Sequence, residues 1–116
     1  IGCPAAVLVR AVEPLAGEAL MRRRRQGSKS TRIARLETTD LCRGPGNVSR
    51  SFGVTLRHNR IDMCAEGLYI QDPGRFVGAI GWSSRIGISA ATERRWRVFS
   101  LQSRAVSGPR HLNCCD

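Results

Sequence analysis

The sequence predicts an α+β fold, with short helices early in the chain and an antiparallel sheet or open barrel late. Three observations carry this. Helical patterns bounded by Pro and Gly lie before residue 53. Short apolar runs separated by turn residues fill 68–101. No repeat and no regular βαβ alternation links the two regions.

The elements follow in order. Ala5-Ala6-Val7-Leu8-Val9 is a compact apolar run, read as a buried strand that is central in its sheet because neither face is polar. It starts close to Ile1, which is the expectation for a chain cut from a longer one. Glu13-Pro14 opens a helix through Gln26, with Leu15, Ala19 and Leu20 apolar and Gly27 as its stop. Arg22–Arg25 fall in its last turns, where positive charge complements the dipole. After a polar linker at 28–30, Thr31–Thr39 reads as helix with Ile33 and Leu36 inward.

Residues 41–54, LCRGPGNVSRSFGV, hold the sharpest local signal. Pro45 suits the first helical position, since its missing N–H would have no partner there. Val48 and Phe52 share one face, and Gly53 suits a left-handed C-terminal cap. Residues 55–66 read as a polar loop containing His58 and Asn59. Leu68–Ile70, Phe76–Ile80, Ile86–Ile88 and Trp96–Leu101 read as short strands.

Composition narrows the function classes. The 116 residues suffice for one domain or part of one, and a 41% hydrophobic fraction allows a core. No apolar run reaches membrane-spanning length, and no signal peptide is visible. Net charge is +10, with Lys29 the only lysine among 19 basic residues against nine carboxylates. Such an excess suits a polyanion, and arginine favours forked phosphate recognition. Five cysteines without a C-x-x-C pair suggest a reduced, cytoplasmic protein and no zinc site.

Catalytic motifs are scarce. The Gly-Pro-Gly turn is not a Walker loop, which needs Lys then Ser or Thr, nor a G-x-G-x-x-G fingerprint. A helix N-terminus preceded by Arg43 offers N–H groups to an anion, although the turn alone explains the glycines equally well. Neither His58 nor His111 has a partner at motif spacing, and H-x-E, H-E-x-x-H and G-x-S-x-G are absent. The few aromatic residues argue against a stacking platform of the RRM type. Arg22–Arg25 read either as a solvated face or as a nucleic-acid contact. Leu8 and Arg10 project to one face at the end of the apolar strand. They read as a pocket lip, or Arg10 is simply the first solvated residue after the strand.

Six blocks together resemble the alkyladenine (3-methyladenine) DNA glycosylase family. They are VLVRAVEPLAGEALMRRRR at 7–25, LCRGPGNVSRSFGV at 41–54, RHNRID at 57–62, SRIGIS at 84–89, RRWRVF at 94–99 and AVSG at 105–108, in the family's order and spacing. The resemblance covers 4–108, as the C-terminal part of a single glycosylase domain, and leaves 109–116 as an unmatched tail. It implies a monomeric base-excision-repair enzyme without metal or cofactor. Such an enzyme flips an alkylated or deaminated purine out of duplex DNA and hydrolyses its N-glycosidic bond.

By the same resemblance Arg10 is the catalytic-site arginine beside the flipped nucleotide and the attacking water, and Leu8 is a pocket wall. Arg22, Arg25, Arg43, Gly44, Gly46, Asn47 and Arg57 fall on the DNA-binding side. Asn47 stands where the family usually has lysine, and Leu56-Arg57 replaces a basic-then-Ser pair. The family's glutamate base, tyrosine wedge and base-sandwiching aromatics precede the first strand and match nothing in residues 1–3. The expectation is therefore a truncated chain without its catalytic base. The alternatives are a non-catalytic basic nucleic-acid-binding remnant or module, and an unrelated RNA-binding protein.

Overall fold

The computed structural model describes residues 2–26, 33, 35–65, 67–74 and 78–113. Helix α1 spans Glu18–Gln26 and helix α2 spans Pro45–Phe52. Strands β1 (Ile80–Ser83) and β2 (Arg97–Ser100) pair antiparallel, with Trp82 opposite Val98 and Gly81 opposite Phe99. Single 3-10 turns occupy Thr38–Asp40, Leu56–His58 and Arg110–Leu112. The α+β class stands, as a small partial domain with an open two-stranded sheet.

α1 is shorter than its sequence pattern. Gly17 has φ +77°, a left-handed conformation outside the helix, and its carbonyl accepts from the Met21 N–H at 3.0 Å. Glu13 to Ala16 therefore stay outside. Glu18 sits in the first turn and Arg23–Arg25 in the last, matching the helix dipole at both ends. Met21 turns inward onto Leu41 and Cys42, with Val12, Leu36 and Val48 around them, and this is the core. The Cys42 thiol points at the Met21 sulfur at 3.8 Å. Ser51, fully buried, donates its hydroxyl to the Leu41 carbonyl at 2.9 Å, which satisfies both groups.

α2 forms as its sequence dictates. Pro45 occupies its first turn, and Gly53 caps it at φ +71° while donating to the Arg50 carbonyl. Val48 faces the core, while Phe52 remains substantially exposed.

The sheet alternates. Gly81, Ser83, Arg97 and Phe99 face inward, and Ile80, Trp82 and Val98 face out. Gly81 is required by close approach: a Cβ there would lie 2.7 Å from the Phe99 ring.

Several expectations fail. Ala5–Val9 is neither buried nor a strand, and Val7 is 93% exposed. An apolar run becomes a strand only with a ladder partner. Here the nearest pairing is the isolated Ala11–Arg43 bridge, supported by Val12 N donating to the Cys42 carbonyl at 3.4 Å. Leu68–Ile70 and Ile86–Ile88 also form no strand. Of the Phe76–Ile80 run, 76 and 77 lie outside the described residues, and β1 starts at Ile80. The Thr31–Thr39 helix falls partly outside them too. Ile33 is buried and Leu36 half-buried, but residues 38–40 are a 3-10 turn.

Candidate nucleic-acid interface

Two places gather the chemistry-bearing side chains. The larger is an open depression of about 970 Å³ between residues 6–13, the β2 strand and the 85–88 and 102–107 loops. Leu8 and Arg10 both line it. Arg10 is half-buried and donates from Nη1 to the Ile86 carbonyl at 3.4 Å, while its Nε is buried without an acceptor.

Two further arginines line the same depression, and sequence reasoning did not single them out. Arg85 donates from Nη2 to the Ala90 and Ala91 carbonyls, and its Nε is also buried without an acceptor. Arg97 is only 6% exposed. It donates to Ser83 Oγ at 2.7 Å, the Leu112 carbonyl at 2.9 Å, the Ser107 carbonyl at 2.6 Å and Asn113 Oδ1 at 2.5 Å, and stacks 4.5 Å over the Phe99 ring. Burial, and then the positive charge of Arg10, pull its pKa below the ordinary arginine value. Among the described residues Glu13 is the one carboxylate lining the depression, and its Oε2 accepts from Ser103 Oγ at 2.9 Å. Three guanidinium groups against one carboxylate make this an anion-attracting concavity. The available signal was one arginine in SRIGIS and three in RRWRVF, with no acidic residue inside either block.

The second place is the turn into α2. Arg43, Gly44, Gly46 and Asn47 are contiguous there. Arg43 donates from Nε to the Val106 carbonyl at 2.9 Å and from Nη1 to Asp40 at 3.3 Å. Asn47 donates its side-chain amide to the Arg43 carbonyl at 2.7 Å, which rigidifies the turn. Gly44, at φ +106°, needs the backbone freedom of glycine. Gly46 is exposed at the helix start, where first-turn N–H groups lack intrahelical acceptors. The Ala11–Arg43 bridge joins this turn to the Arg10 segment.

Arg22 and Arg25 sit otherwise. Arg22 forks onto Glu18 and donates to the Ile33 and Leu36 carbonyls at 3.0 and 2.8 Å. Arg25 donates to the Asp40 and Leu41 carbonyls at 2.8 and 2.7 Å. Burial lowers the Arg25 pKa from its ordinary value. Arg57 stands apart, exposed in the Leu56–His58 turn, which Thr55 caps by accepting from the Arg57 N–H. No group of three His, Cys, Asp or Glu among the described residues is arranged to hold a metal. Among them, too, no helix is long and apolar enough to cross a membrane.

A family model described as methylpurine-DNA glycosylase matches residues 1–104. The chain belongs to the methylpurine-DNA glycosylase family. It is similar to proteins named for 3-methyladenine DNA glycosylase from Rubrobacter xylanophilus (38% identical, 97% of this chain) and Mesorhizobium japonicum (38% identical, 96% of this chain). A protein of the same name from Methanocella arvoryzae is 37% identical over 91% of this chain. The match covers 54%, 50% and 51% of these relatives, so the chain spans about half the length of the curated relatives it matches. In this member of the family, Leu8 and Arg10 line the depression, and Arg43 to Asn47 form the turn into α2.

Proposed function

We propose that this chain supplies the nucleotide pocket and part of the DNA-backbone contact of a 3-methyladenine DNA glycosylase acting in base excision repair. The observation that carries the reading is Arg10, in an open depression with a buried, unpartnered Nε, within a chain of the methylpurine-DNA glycosylase family. The substrate is duplex DNA with an alkylated or deaminated purine, flipped so that its sugar and phosphate meet Arg10 and its base meets Leu8. In the reaction a water oxygen bonds to C1′ as the C1′–N bond breaks. The bonding pair leaves with the base; it neutralises the charge of an alkylated purine, whereas a neutral deaminated purine leaves as an anion and takes a proton from water. The water's proton goes to a carboxylate. Arg10 is not that acceptor, because a guanidinium offers only N–H donors, so its part is to hold the phosphate and orient the water.

Arg43, Gly44, Gly46, Asn47 and Arg57 form the backbone-binding side in this reading. Arg22 and Arg25 serve it by holding the turn that bears Arg43. The carboxylate belongs to the half of the relatives that this chain does not span. A single-turnover assay on lesion-containing duplex tests the reading. The 116-residue chain alone releases no 3-methyladenine or hypoxanthine, and joining it to that half restores release. Excision by the chain alone would overturn the assignment of the base, and Glu13 and Asp62 would be the first carboxylates to replace. DNA binding without release in the joined protein would instead support a non-catalytic nucleic-acid-binding module.

A further inference from the structure

We infer that Arg97 is a positioning residue for the proposed excision: it fixes the Ile86 carbonyl that holds Arg10, a role that rests on the one proposed above for Arg10. It does so through Ser83, just before Ile86 in the chain, and through the Ser107-Gly108 turn against which Ile86 packs.

Arg97 directs all four of its terminal N–H groups at the protein itself. Nη1 donates to Ser83 Oγ and the Leu112 carbonyl, and Nη2 to the Ser107 carbonyl and Asn113 Oδ1. No terminal donor remains for a nucleotide, so Arg97 acts through the groups it holds. Those groups flank Ile86. On one side, Ser83 Oγ accepts from Arg97 and donates to the Ser84 carbonyl at 3.2 Å, at the entry to the loop that carries Ile86. On the other, Ser107 leads into Gly108, at φ +101°, and a Cβ on Gly108 would overlap the end of the Ile86 side chain. Ile86 therefore packs on bare backbone whose preceding carbonyl is bonded to Arg97. The Ile86 carbonyl in turn accepts from Arg10 Nη1 at 3.4 Å, near the outer limit of a hydrogen bond. A displacement of roughly half an ångström at Ile86 is enough to break it.

A staple for the fold at large fits these facts less well. A well-packed apolar side chain at 97 would join the same segments without desolvating a charge. The guanidinium is instead almost fully buried, and the like charge of Arg10 lies close enough to disfavour its charged form. A planar fork with four acceptors fixes directions as well as distances, which suits a part that must place one carbonyl. Three of the four acceptors belong to residues 107–113, past residue 104, where the family match ends.

The experiment compares three variants. Ser83→Ala removes the hydroxyl between Arg97 and Ser84 and leaves the Arg97 charge in place. Ser83→Thr keeps a hydroxyl, and Arg97→Lys keeps the charge but loses the fork. Proton exchange at the Arg10 guanidinium is read by NMR in the 116-residue chain. Single-turnover release is read in the chain joined to the part of the Rubrobacter xylanophilus relative outside the match, with Arg10 and with Arg10→Ala, below the melting temperature of every protein compared. We expect Ser83→Ala and Arg97→Lys to slow release by about tenfold when Arg10 is present, the scale of a misplaced positioning contact. In the Arg10→Ala background the same changes cost less than about twofold, because both act through one residue. Arg10 guanidinium exchange rises by at least about threefold, the scale of one weak hydrogen bond. Ser83→Thr behaves as the parent in both measurements. Equal slowing in the two backgrounds overturns the inference, since a staple for the fold costs the same with or without Arg10. So does unchanged Arg10 exchange in Ser83→Ala, which decides alone where Arg97→Lys does not fold. A joined parent that releases no base removes the proposed activity, and the exchange measurement still decides whether Arg97 sets Arg10 in place.

Discussion

Arg25 Nη1 lies 2.7 Å from the Leu41 carbonyl oxygen and 2.8 Å from that of Asp40, tying the last turn of α1 to the segment that carries Cys42 and Arg43. Two charged-donor bonds, one of them to the carbonyl of fully buried Leu41, brace the protein. Arg25→Ala should lower its unfolding free energy by about 1–3 kcal/mol, read by denaturant titration. The salt dependence of DNA binding should not change in the folded variant. A slope lower by about one unit would instead place Arg25 on a phosphate.

Arg57 gives the opposite expectation. It is exposed in a capped turn, and its side chain is free to reach a phosphate. Arg57→Ala should leave thermal stability nearly unchanged and reduce the log–log salt slope of duplex binding by about one unit. An unchanged slope with unchanged affinity would remove Arg57 from the interface.

Glu18 ties stability to pH. Its hydrogen bond to Arg22, followed by one to Thr38, holds its carboxyl below the ordinary value of 4.5. A depressed carboxyl pKa stabilises the folded state above 4.5, and that contribution disappears as pH falls through the lower folded-state value. Wild-type protein should therefore lose some thermal stability on acidification below 4.5, and Glu18→Gln should lose less over the same interval. The effect is modest because Glu18 is solvent-exposed. Identical acid profiles for the two proteins would refute it.

Gly81 tests the sheet. Its missing Cβ leaves room for the Phe99 ring, and a methyl group at 2.7 Å forces either the ring or the strand pair to move. Gly81→Ala should destabilise the protein by about 1–3 kcal/mol through overpacking. Melting curves that overlay would mean that Phe99 has another place to go.

The sequence was most legible where local chemistry decides the structure. Pro45 and Gly53 bracket α2 because each suits one specific backbone conformation, and no distant contact is needed to read that. Gly17 was readable in principle, since a glycine in the first turns of a helical pattern can just as well precede the helix. Ala5–Val9 was not, because an apolar run states a need for burial without stating what buries it. The site follows the same division. Leu8 and Arg10 both line one depression, but so does every residue from Ala6 to Glu13, so the strand spacing is not what brings them there. Arg85 and Arg97 reach that depression from far along the chain. Their placement, Arg85 half-buried and Arg97 buried, depends on carbonyls of Ala90, Ala91, Ser107 and Leu112, which no spacing rule connects. Of the Arg22–Arg25 run, Arg22, Arg24 and Arg25 donate to internal carbonyls, a distinction that only packing makes.

The most direct measurement of the central claim is the single-turnover rate of base release by this chain joined to the half its relatives supply, with Arg10 and with Arg10→Ala. Arg10 is proposed to hold the flipped nucleotide and its water, and one lost positioning contact costs about tenfold or more in rate. The account predicts release of 3-methyladenine by the joined protein and a rate lower by at least that factor in Arg10→Ala. Equal release rates for the two proteins would contradict it.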